Sequence, residues 1–562
     1  MNRAIDGLGL RSYDIAIIGG GIYGTCIARD AALRGMSVAL IERGDFGQAT
    51  SHNSLKLIHG GLRYLQHLDV RRVRECIRER NHWLKNAPHL IRPLDVLIPT
   101  YGHGTRGRAA LWSATQLYNA LSVDRNRGLA EEQLVPAARI VSRAECERRI
   151  PGIDSKRVTG GCCWTDGQMQ NAARVVLECV QDAVQAGADA ANYVEATRLL
   201  TEDSNVQGVS ARDLLSGEQL TIRATLVINA SGPWLANVLG ADIGPRYHTV
   251  IPLARALNVI TRALPTQGAV GVESRRSSDA VVGQSKRLYF ITPWRGLSII
   301  GTTHLPFDGQ PDTYQVMPAE VKAFLDEVNQ AYPPAKLTLA DVVYCYGGLT
   351  PAAGLTGPEI RRARESRIID HEVEDGVGGL LSVSGVKFTS AREVAEKAID
   401  AAVRKLGKSG LRCVTHKTPL SGAQNYPGRR ELRKSIELRL GPGVDSAAVD
   451  CLEEYGTRYE RVLGMWNGQP DEKSILEARC RYAVREEMAR SVSDVVLRRT
   501  AMAERGTLTE SALQACTTTM AHELGWNDLE ASRQKQAVHS RLAELVPDYA
   551  NAHAQPVGQV AQ

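Results

Sequence analysis

The chain has 562 residues, of which 43% are hydrophobic and 23% are charged. These proportions are ordinary for a soluble globular protein and exclude collagen, a coiled-coil rod and a wholly disordered chain. The length predicts roughly three or four domains of about 150 residues each. A total of 68 Lys and Arg against 62 Asp and Glu leaves a net charge of +6. That mild excess does not indicate nucleic-acid binding, which needs a concentrated basic face.

The eleven cysteines are scattered and form no CxxC pair. They predict reduced thiols in a cytoplasmic protein, with neither a disulfide scaffold nor a metal site. The first twelve residues contain no apolar signal core. No run of about 20 apolar residues occurs, so no membrane-spanning helix is expected, and a peripheral membrane attachment stays open.

A βαβ unit opens the chain, with strands predicted at 13–18 and 37–41 and a helix at 22–34. Gly19-x-Gly21-x-x-Gly24 lies between the first strand and the helix, and Glu42 follows the second strand. Such a turn lets a pyrophosphate approach the helix N-terminus, and the acid accepts hydrogen bonds from a ribose. The motif alone does not separate NAD from FAD. Two later strand–turn elements, at 226–234 and 380–389, favour FAD because a longer nucleotide is held by contacts from distant parts of the chain.

The remaining pattern is mixed. Helices are predicted at 70–85, 108–123, 171–186 and 390–405, and strands at 189–197 and 220–228. Short alternating strands between 249 and 343 predict an antiparallel sheet. After 409 the pattern is almost entirely helical, and 477–500 is its longest predicted helical stretch.

Residues 54–65, Ser-Leu-Lys-Leu-Ile-His-Gly-Gly-Leu-Arg-Tyr-Leu, resemble the signature of the FAD-dependent, quinone-linked glycerol-3-phosphate dehydrogenases. The resemblance continues at 87–90, 229–234, 299–303, 381–389, 482–485 and 498–500. It covers nearly the whole chain, from residue 13 to about residue 542. Several of these motifs are long, so chance is a poor explanation.

This resemblance implies an α/β protein with a D-amino-acid-oxidase-type fold. A Rossmann-like FAD domain would carry an antiparallel-sheet substrate domain, followed by a C-terminal all-helical domain. The FAD domain is expected at 1–85, 151–247 and 346–407. A substrate or cap segment with a candidate membrane-contacting helix is expected at 86–150, the antiparallel substrate domain at 248–345 and the helical domain at 408–562.

The resemblance also implies oxidation of sn-glycerol 3-phosphate to dihydroxyacetone phosphate, with hydride passing to FAD and electrons passing to a membrane quinone. Such an enzyme would sit on the inner face of the cell membrane, and a homodimer is one option. Oxygen as the acceptor stays open. Two alternatives are a related FAD enzyme for another small hydroxy or amino compound and a flavin-binding protein with little catalysis.

The expected site residues follow from the same resemblance. The substrate phosphate would be held by Arg63, Tyr64, Arg364 and Lys387. No metal ligand is expected. The cofactor-binding residues would be Gly19, Gly21, Ile22, Gly24, Glu42, Arg43, Thr50, Ser51, Ser54, Lys56, Leu57, Ile58, Val194, Ala230, Ser231, Gly232, Trp234, Gly385, Lys387, Phe388 and Thr389.

The catalytic group departs from the family pattern. Asn258 stands where relatives carry a histidine, and Thr350 replaces an active-site arginine. Removal of the alcohol proton needs a general base, most often histidine. His304 is one candidate and His59 another, and the catalytic residues would be His304, Arg63, Lys387 and Asn258. His52 would line the flavin pocket or, as in some flavoproteins, attach the FAD covalently.

The segment at 111–121 is amphipathic behind a basic start at Arg106 and Arg108. It would either lie in a bilayer interface or pack on the substrate domain.

Overall fold

Two β-sheets with helices packed on them, followed by a set of C-terminal helices, make up the computed structural model. It describes residues 1–101, 108–243, 251–277, 286–356, 359–469 and 471–547. In chain order the strands are β1 (Ser12–Ile18), β2 (Val38–Glu42), β3 (Leu57–Ile58), β4 (Ile91–Tyr101), β5 (Arg139–Val141), β6 (Val158–Met169), β7 (Asp189–Asn192), β8 (Val194–Glu202), β9 (Asn205–Asp213), β10 (Gln219–Asn229), β11 (Leu253–Arg262), β12 (Ala269–Ser277), β13 (Lys286–Trp294), β14 (Leu297–Phe307), β15 (Val342–Thr356), β16 (Glu359–Arg362), β17 (Arg367–Asp370) and β18 (Leu380–Ser384).

The helices are α1 (Ile5–Leu8), α2 (Ile22–Leu33), α3 (Val70–Asn86), α4 (Arg108–Leu121), α5 (Arg143–Arg149), α6 (Ala172–Gln185), α7 (Leu235–Ile243), α8 (Pro318–Ala331), α9 (His371–Glu374), α10 (Ala391–Lys405), α11 (Arg429–Leu440), α12 (Ser446–Glu453), α13 (Tyr459–Leu463), α14 (Glu472–Glu486), α15 (Glu510–Leu524) and α16 (Asp528–Leu545). A 3-10 turn spans Leu62–His67, and a π-helical turn spans Asp494–Arg499.

The first sheet has the order β17-β18-β10-β1-β2-β7, and β9 extends it from β10 to β8. Strand β1 pairs in parallel with β2 and β10, and β10 pairs in parallel with β18. Both faces of β1 are buried, with Ile15 and Ile17 in one core and Ala16 and Ile18 in another, as expected for a parallel sheet covered on both sides. The carboxyl ends of β1, β10 and β18 therefore meet at one edge.

The second sheet runs β16-β15-β11-β14-β13-β12-β4-β6-β3, with β5 paired to β6. Its pairs are antiparallel except β4 with β12, so the antiparallel prediction for 249–343 is confirmed in its main part. Helix α8 packs Val321, Phe324 and Val328 against this sheet. Strand β6 also belongs to it, although the sequence assigns 151–247 to the FAD domain. The proposed domain bounds stay a prediction.

Two predicted elements are interrupted. The strand expected at 189–197 breaks at Tyr193, whose φ is +57° and whose N–H donates to Gly44 O at 2.9 Å. The helical stretch expected over 477–500 is not continuous, because α14 ends at Glu486 and Met488 has φ of +55°. The Asp494 carboxylate then accepts the N–H groups of residues 490 and 491 at 2.8 and 3.0 Å. The side chain thus takes over backbone donors that a continuous helix would use.

Candidate active site

The turn after β1 is packed too tightly for side chains. Gly19 has φ of +107°, and a Cβ on it would lie 2.6 Å from Ala230 O. A Cβ on Gly24 would lie only 1.9 Å from Gly19 O. Helix α2 begins at Ile22, with Gly21 as its N-cap. The geometry is that of a dinucleotide turn, with the positive end of the helix dipole directed at the phosphate position.

Glu42 closes the other side of this turn. Its carboxylate accepts the N–H of Gly20 at 2.6 Å and that of Gly44 at 2.8 Å. Burial raises the pKa of Glu42, and this effect exceeds the opposite effect of the two N–H donors. The acid is therefore held rigidly at the end of β2, where a ribose acceptor is expected.

Three turns distant in sequence converge at this edge. The N–H of Ala230 donates to Ile18 O at 2.8 Å, and Ser231 Oγ donates to Asn229 Oδ1 at 2.6 Å. On the other side, the Tyr23 hydroxyl donates to Lys387 O at 2.7 Å and accepts the Lys387 N–H at 3.0 Å. A Cβ on Gly385 would lie 2.1 Å from the Tyr23 ring. The predicted elements at 226–234 and 380–389 thus join the glycine turn.

Arg43 and Trp234 are brought together by a residue that the sequence analysis missed. The Arg43 guanidinium lies 4.4 Å from the centre of the Trp234 indole. Asp312, in the loop between β14 and α8, accepts the Trp234 Nε1–H at 2.9 Å and also pairs with Arg43. No local motif marks Asp312, since its role depends on the packing of two distant segments.

The loop at 50–58 lies between the two sheets. Ser51 Oγ accepts the N–H of Ile22 at 2.9 Å, and Thr50 Oγ1 donates to Leu349 O on β15 at 2.8 Å. Ser54 Oγ accepts the Lys56 N–H at 3.3 Å. Leu57 and Ile58 then form β3, which pairs with β6. Val194, a further expected cofactor residue, is buried at the start of β8.

The side chain of Lys56 is turned toward the C-terminal helices. Its Nζ donates to Glu504, with 3.1 Å to Oε2, and both side chains are fully buried. Burial lowers the pKa of Lys56, although Glu504 acts in the opposite direction. His52 is also buried, with Nε2 3.7 Å from Glu504 Oε2. Burial, followed by the charge of Lys56, holds the His52 pKa well below its ordinary value, so this ring is neutral.

A cationic cluster surrounds Tyr64. This ring is buried, and Lys387 Nζ lies 4.3 Å from its centre. Arg72 on α3, which the sequence analysis did not single out, lies 5.3 Å from the same ring. His59 is also adjacent, with ring centres 5.9 Å apart. The expected pair Tyr64 and Lys387 is therefore together, while the side chain of Arg63 lies outside the described part of the structure.

The turn that carries Arg364 reaches the same cluster. The next residue, Glu365, pairs with Arg72. Ser366 Oγ shares a 3.0 Å hydrogen bond with the Tyr23 hydroxyl. Arg364 itself is partly buried between β16 and β17. Its neighbours thus link this turn both to the Tyr64 cluster and to the turn of Lys387.

Asn258 and His304 occupy neighbouring strands of the second sheet. Asn258 is buried, and its Oδ1 accepts a hydrogen bond from Thr302 Oγ1 at 2.7 Å. His304 lies two residues beyond Thr302 on β14, opposite Ala256. Side chains two apart on a strand share a face. Thr350 lies on β15, opposite Ala254 of β11. It follows Leu349, whose carbonyl oxygen accepts the hydrogen bond from Thr50.

Comparison with known proteins agrees with this geometry. Residues 14–400 match a family described as FAD dependent oxidoreductase, and residues 413–531 match the C-terminal domain of alpha-glycerophosphate oxidase. A glycerol-3-phosphate dehydrogenase of Synechocystis is 33% identical over 96% of this chain and 98% of its own. The chain belongs to the family of FAD-dependent glycerol-3-phosphate dehydrogenases.

Other members of this glycerol-3-phosphate dehydrogenase family support the assignment. The mitochondrial enzyme of Mus musculus is 30% identical, over 93% of this chain and 72% of its own. The solved structure of the Bacillus halodurans glycerol-3-phosphate dehydrogenase, complexed with FAD, has 25% identity and a TM-score of 0.76 over 99% of this chain and 98% of its own. The D-amino-acid-oxidase-type fold with a helical C-terminal domain is therefore confirmed, and the protein is an FAD-dependent oxidoreductase.

The residues present fit this cofactor. The close packing at Gly19 and Gly24 leaves backbone rather than side chains at the phosphate position, as a pyrophosphate requires. Glu42 is held at the end of β2, where a ribose is expected, and the turn at 385–389 is tied to the start of α2 through Tyr23. The individual cofactor contacts expected from the sequence stay predictions.

Proposed function

We propose that this protein oxidises sn-glycerol 3-phosphate to dihydroxyacetone phosphate. The observation that carries the proposal is the placement of Lys387 against Tyr64, beside the turn that leads into α10. An ammonium group and a tyrosine at the cofactor edge suit a small phosphorylated substrate. The relatives named glycerol-3-phosphate dehydrogenase support the same substrate.

The side chains divide into two groups. Lys387, Arg63 and Arg364 would hold the phosphate, with Tyr64 as a hydroxyl partner. FAD, when bound, supplies the acceptor for the hydride. Glu42, Ser51 and Thr389 would hold it from three sides. The Thr389 hydroxyl accepts the His59 N–H at 3.1 Å, which fixes the signature loop against this turn.

His304 is the proposed general base. Asn258 has no basic nitrogen, and its carbonyl oxygen is engaged by Thr302, so its amide N–H groups are the part suited to a substrate oxygen. His304 lies on the neighbouring strand β14, opposite Ala256, and is partly buried. A neutral imidazole there would take the alcohol proton as the hydride leaves.

A second candidate is a related FAD enzyme for a small amine. Asn258 favours it, because a neutral amine loses hydride without a strong base at this position. Anaerobic addition of glycerol 3-phosphate to the holoprotein separates the two. Rapid bleaching of the flavin band is expected, and a spectrum that bleaches only with an amine would contradict the proposal.

Electrons would pass to a membrane quinone through a peripheral attachment. Among the described residues, no helix is both long and apolar enough to span a bilayer. On α4, Trp112 is 58% exposed and Leu117 is 42% exposed, and exposed aromatic and aliphatic side chains on one helix suit a bilayer interface. Arg106, part of the expected basic flank, lies outside the described residues.

Vesicle binding tests this attachment. Trp112→Ser combined with Leu117→Ser is expected to reduce sedimentation with anionic vesicles and the rate of quinone reduction. Leu438→Ser, which changes an exposed leucine on α11, is the control. Equal loss in both variants, or no loss in the first, would contradict a role for α4.

A further inference from the structure

The C-terminal region contributes several buried carboxylates, and one of them, Glu504, reaches the loop at 50–58. Glu504 follows the π-helical turn at Asp494–Arg499 and is fully buried. The helices around it pack on the outer face of the second sheet, where Trp294, Tyr344 and Tyr346 belong to their shared core. Glu504 is thus a C-terminal residue that reaches the space between the substrate sheet and the loop at 50–58.

Glu504 joins two segments. It accepts hydrogen bonds from Lys56 Nζ on the flavin-side loop and from the Tyr346 hydroxyl on β15. Tyr346 is the register partner of Asn258 on β11. A single carboxylate therefore ties the proposed cofactor loop to the strand pair that carries Asn258.

The surroundings of the Lys56 ammonium are largely aromatic. The Lys56 ammonium lies 5.2 Å from the Trp294 ring and 5.0 Å from the Tyr346 ring, so aromatic faces enclose it. His52 is a further polar neighbour, and the charges of Arg295 and Glu454 also act on Lys56. A buried ammonium needs a nearby opposite charge, and Glu504 is the carboxylate that the described contacts give it.

A second ion-pair cluster acts on the loop after β2. Arg498 and Arg499 both bind Asp45, with Arg499 Nη2 2.8 Å from Oδ1. Asp45 lies three residues after Glu42. The C-terminal region thus binds the connection between β2 and β3 at two places, Asp45 and Lys56. In the segment Arg498-Arg499-Thr500, the two arginines therefore have a structural role.

We propose that Glu504 is a positioning residue for the cofactor site: it fixes Lys56 and Tyr346, and so holds the loop at 50–58 against the substrate sheet in the FAD-binding arrangement. The proposal rests on the expected contact between this loop and FAD. The C-terminal region would thus help to retain FAD without contacting the substrate.

The test measures FAD release from the purified holoprotein after dilution, by recovery of flavin fluorescence, together with the melting temperature. Glu504→Gln is expected to speed FAD release by about tenfold or more, a fraction of the penalty of breaking a buried ion pair. The control is Glu453→Gln, which changes another buried C-terminal carboxylate, paired with Arg92 and Arg433 at 2.9 Å each. It should lower the melting temperature and leave FAD release unchanged.

The double variant Lys56→Met with Glu504→Gln separates positioning from general stability. It buries no unpaired charge, so its melting temperature should recover toward the wild-type value. Its FAD release should stay fast, because the loop has lost its anchor. If Glu504→Gln alone does not fold, the double variant still tests the proposal. Wild-type FAD release in the double variant would overturn the proposal.

Ser51→Ala checks the premise independently. Faster FAD release in this variant, with wild-type release in both Glu504 variants, would keep the loop as a cofactor contact and reject the role of Glu504. Wild-type release in every variant would reject both. Neither readout uses a substrate, so the outcome is separate from the identity of the alcohol.

Discussion

Replacement of Lys387 by methionine is the sharpest test of the proposed substrate site. The substitution keeps an unbranched side chain over the Tyr64 ring and removes only the ammonium, which lies 4.3 Å from that ring. A hydrogen bond between charged partners contributes about 1.5–3 kcal/mol. Loss of the Lys387 contact to phosphate should therefore lower kcat/KM for glycerol 3-phosphate by about 10- to 150-fold. Most of the effect should appear in KM, because the phosphate is bound equally before and during hydride transfer.

The assay compares glycerol 3-phosphate with glycerol under the same acceptor, with rates normalised to bound flavin. Glycerol lacks the phosphate, so its low kcat/KM should not change. Lys397→Met on α10 is the matched control, since Lys397 pairs with Glu393 at 3.1 Å and is half exposed. An unchanged kcat/KM for glycerol 3-phosphate, or an equal fall for both substrates, would refute the assignment of Lys387 to the phosphate.

Three further predictions concern stability, cofactor and base. Asp45→Asn should cost about 3–5 kcal/mol of unfolding free energy, measured with urea, because it removes the carboxylate that two buried guanidinium groups share, and Asp494 and Glu487 are the described carboxylates that stay near them. Burial would raise the pKa of Asp45, but Arg499 and Arg498 outweigh it and hold that pKa well below its usual range. Wild-type stability from this cluster should therefore be present at neutral pH and fall as pH drops below about 4. An equally steep loss of stability in acid in the variant would contradict the assignment. Gly24→Ala should abolish stoichiometric FAD in the purified protein, because its Cβ would lie 1.9 Å from Gly19 O, whereas Gly9→Ala, with no atom within 4 Å, should keep it. His304→Gln should slow anaerobic flavin reduction by about 100- to 10,000-fold, and a wild-type rate would assign the base elsewhere.

The site depends on contacts between segments far apart in sequence. Tyr23 on α2 holds the turn of Lys387, and Thr50 holds the β15 carbonyl next to Thr350. Asp312 joins the substrate sheet to Arg43 and Trp234. The contacts of Thr50 and Asp312 link the cofactor edge to the antiparallel sheet, whereas Tyr23 ties two turns of the cofactor edge to each other. Changes to the substrate sheet should therefore affect FAD retention as well as substrate affinity.

Local patterns in the sequence were sufficient for the cofactor domain. Gly19-x-Gly21-x-x-Gly24 between an apolar strand and a helix predicts the turn from neighbouring residues, and Gly24 is packed against Gly19 O, five residues away. The close approach of Gly19 to Ala230 is an exception, because it comes from a distant strand. The antiparallel sheet was predicted for a similar reason, since alternation of apolar and polar residues follows the pleat of a strand. The family signature at 54–65 added the cofactor and the fold of the whole chain.

Only the tertiary structure decided which charged side chains meet. Lys56 stands inside the signature and was expected at the cofactor, but its ammonium is buried against Glu504, 448 residues away. Arg72 lies beside the Tyr64 ring, and Asp312 pairs with Arg43, although no sequence motif marks either residue. The predicted helix over 477–500 was broken because Asp494 binds backbone N–H groups and Arg498 turns to Asp45. Periodicity records which face of an element is apolar, whereas the partner of a buried charge is set by the packing of elements that no local pattern connects.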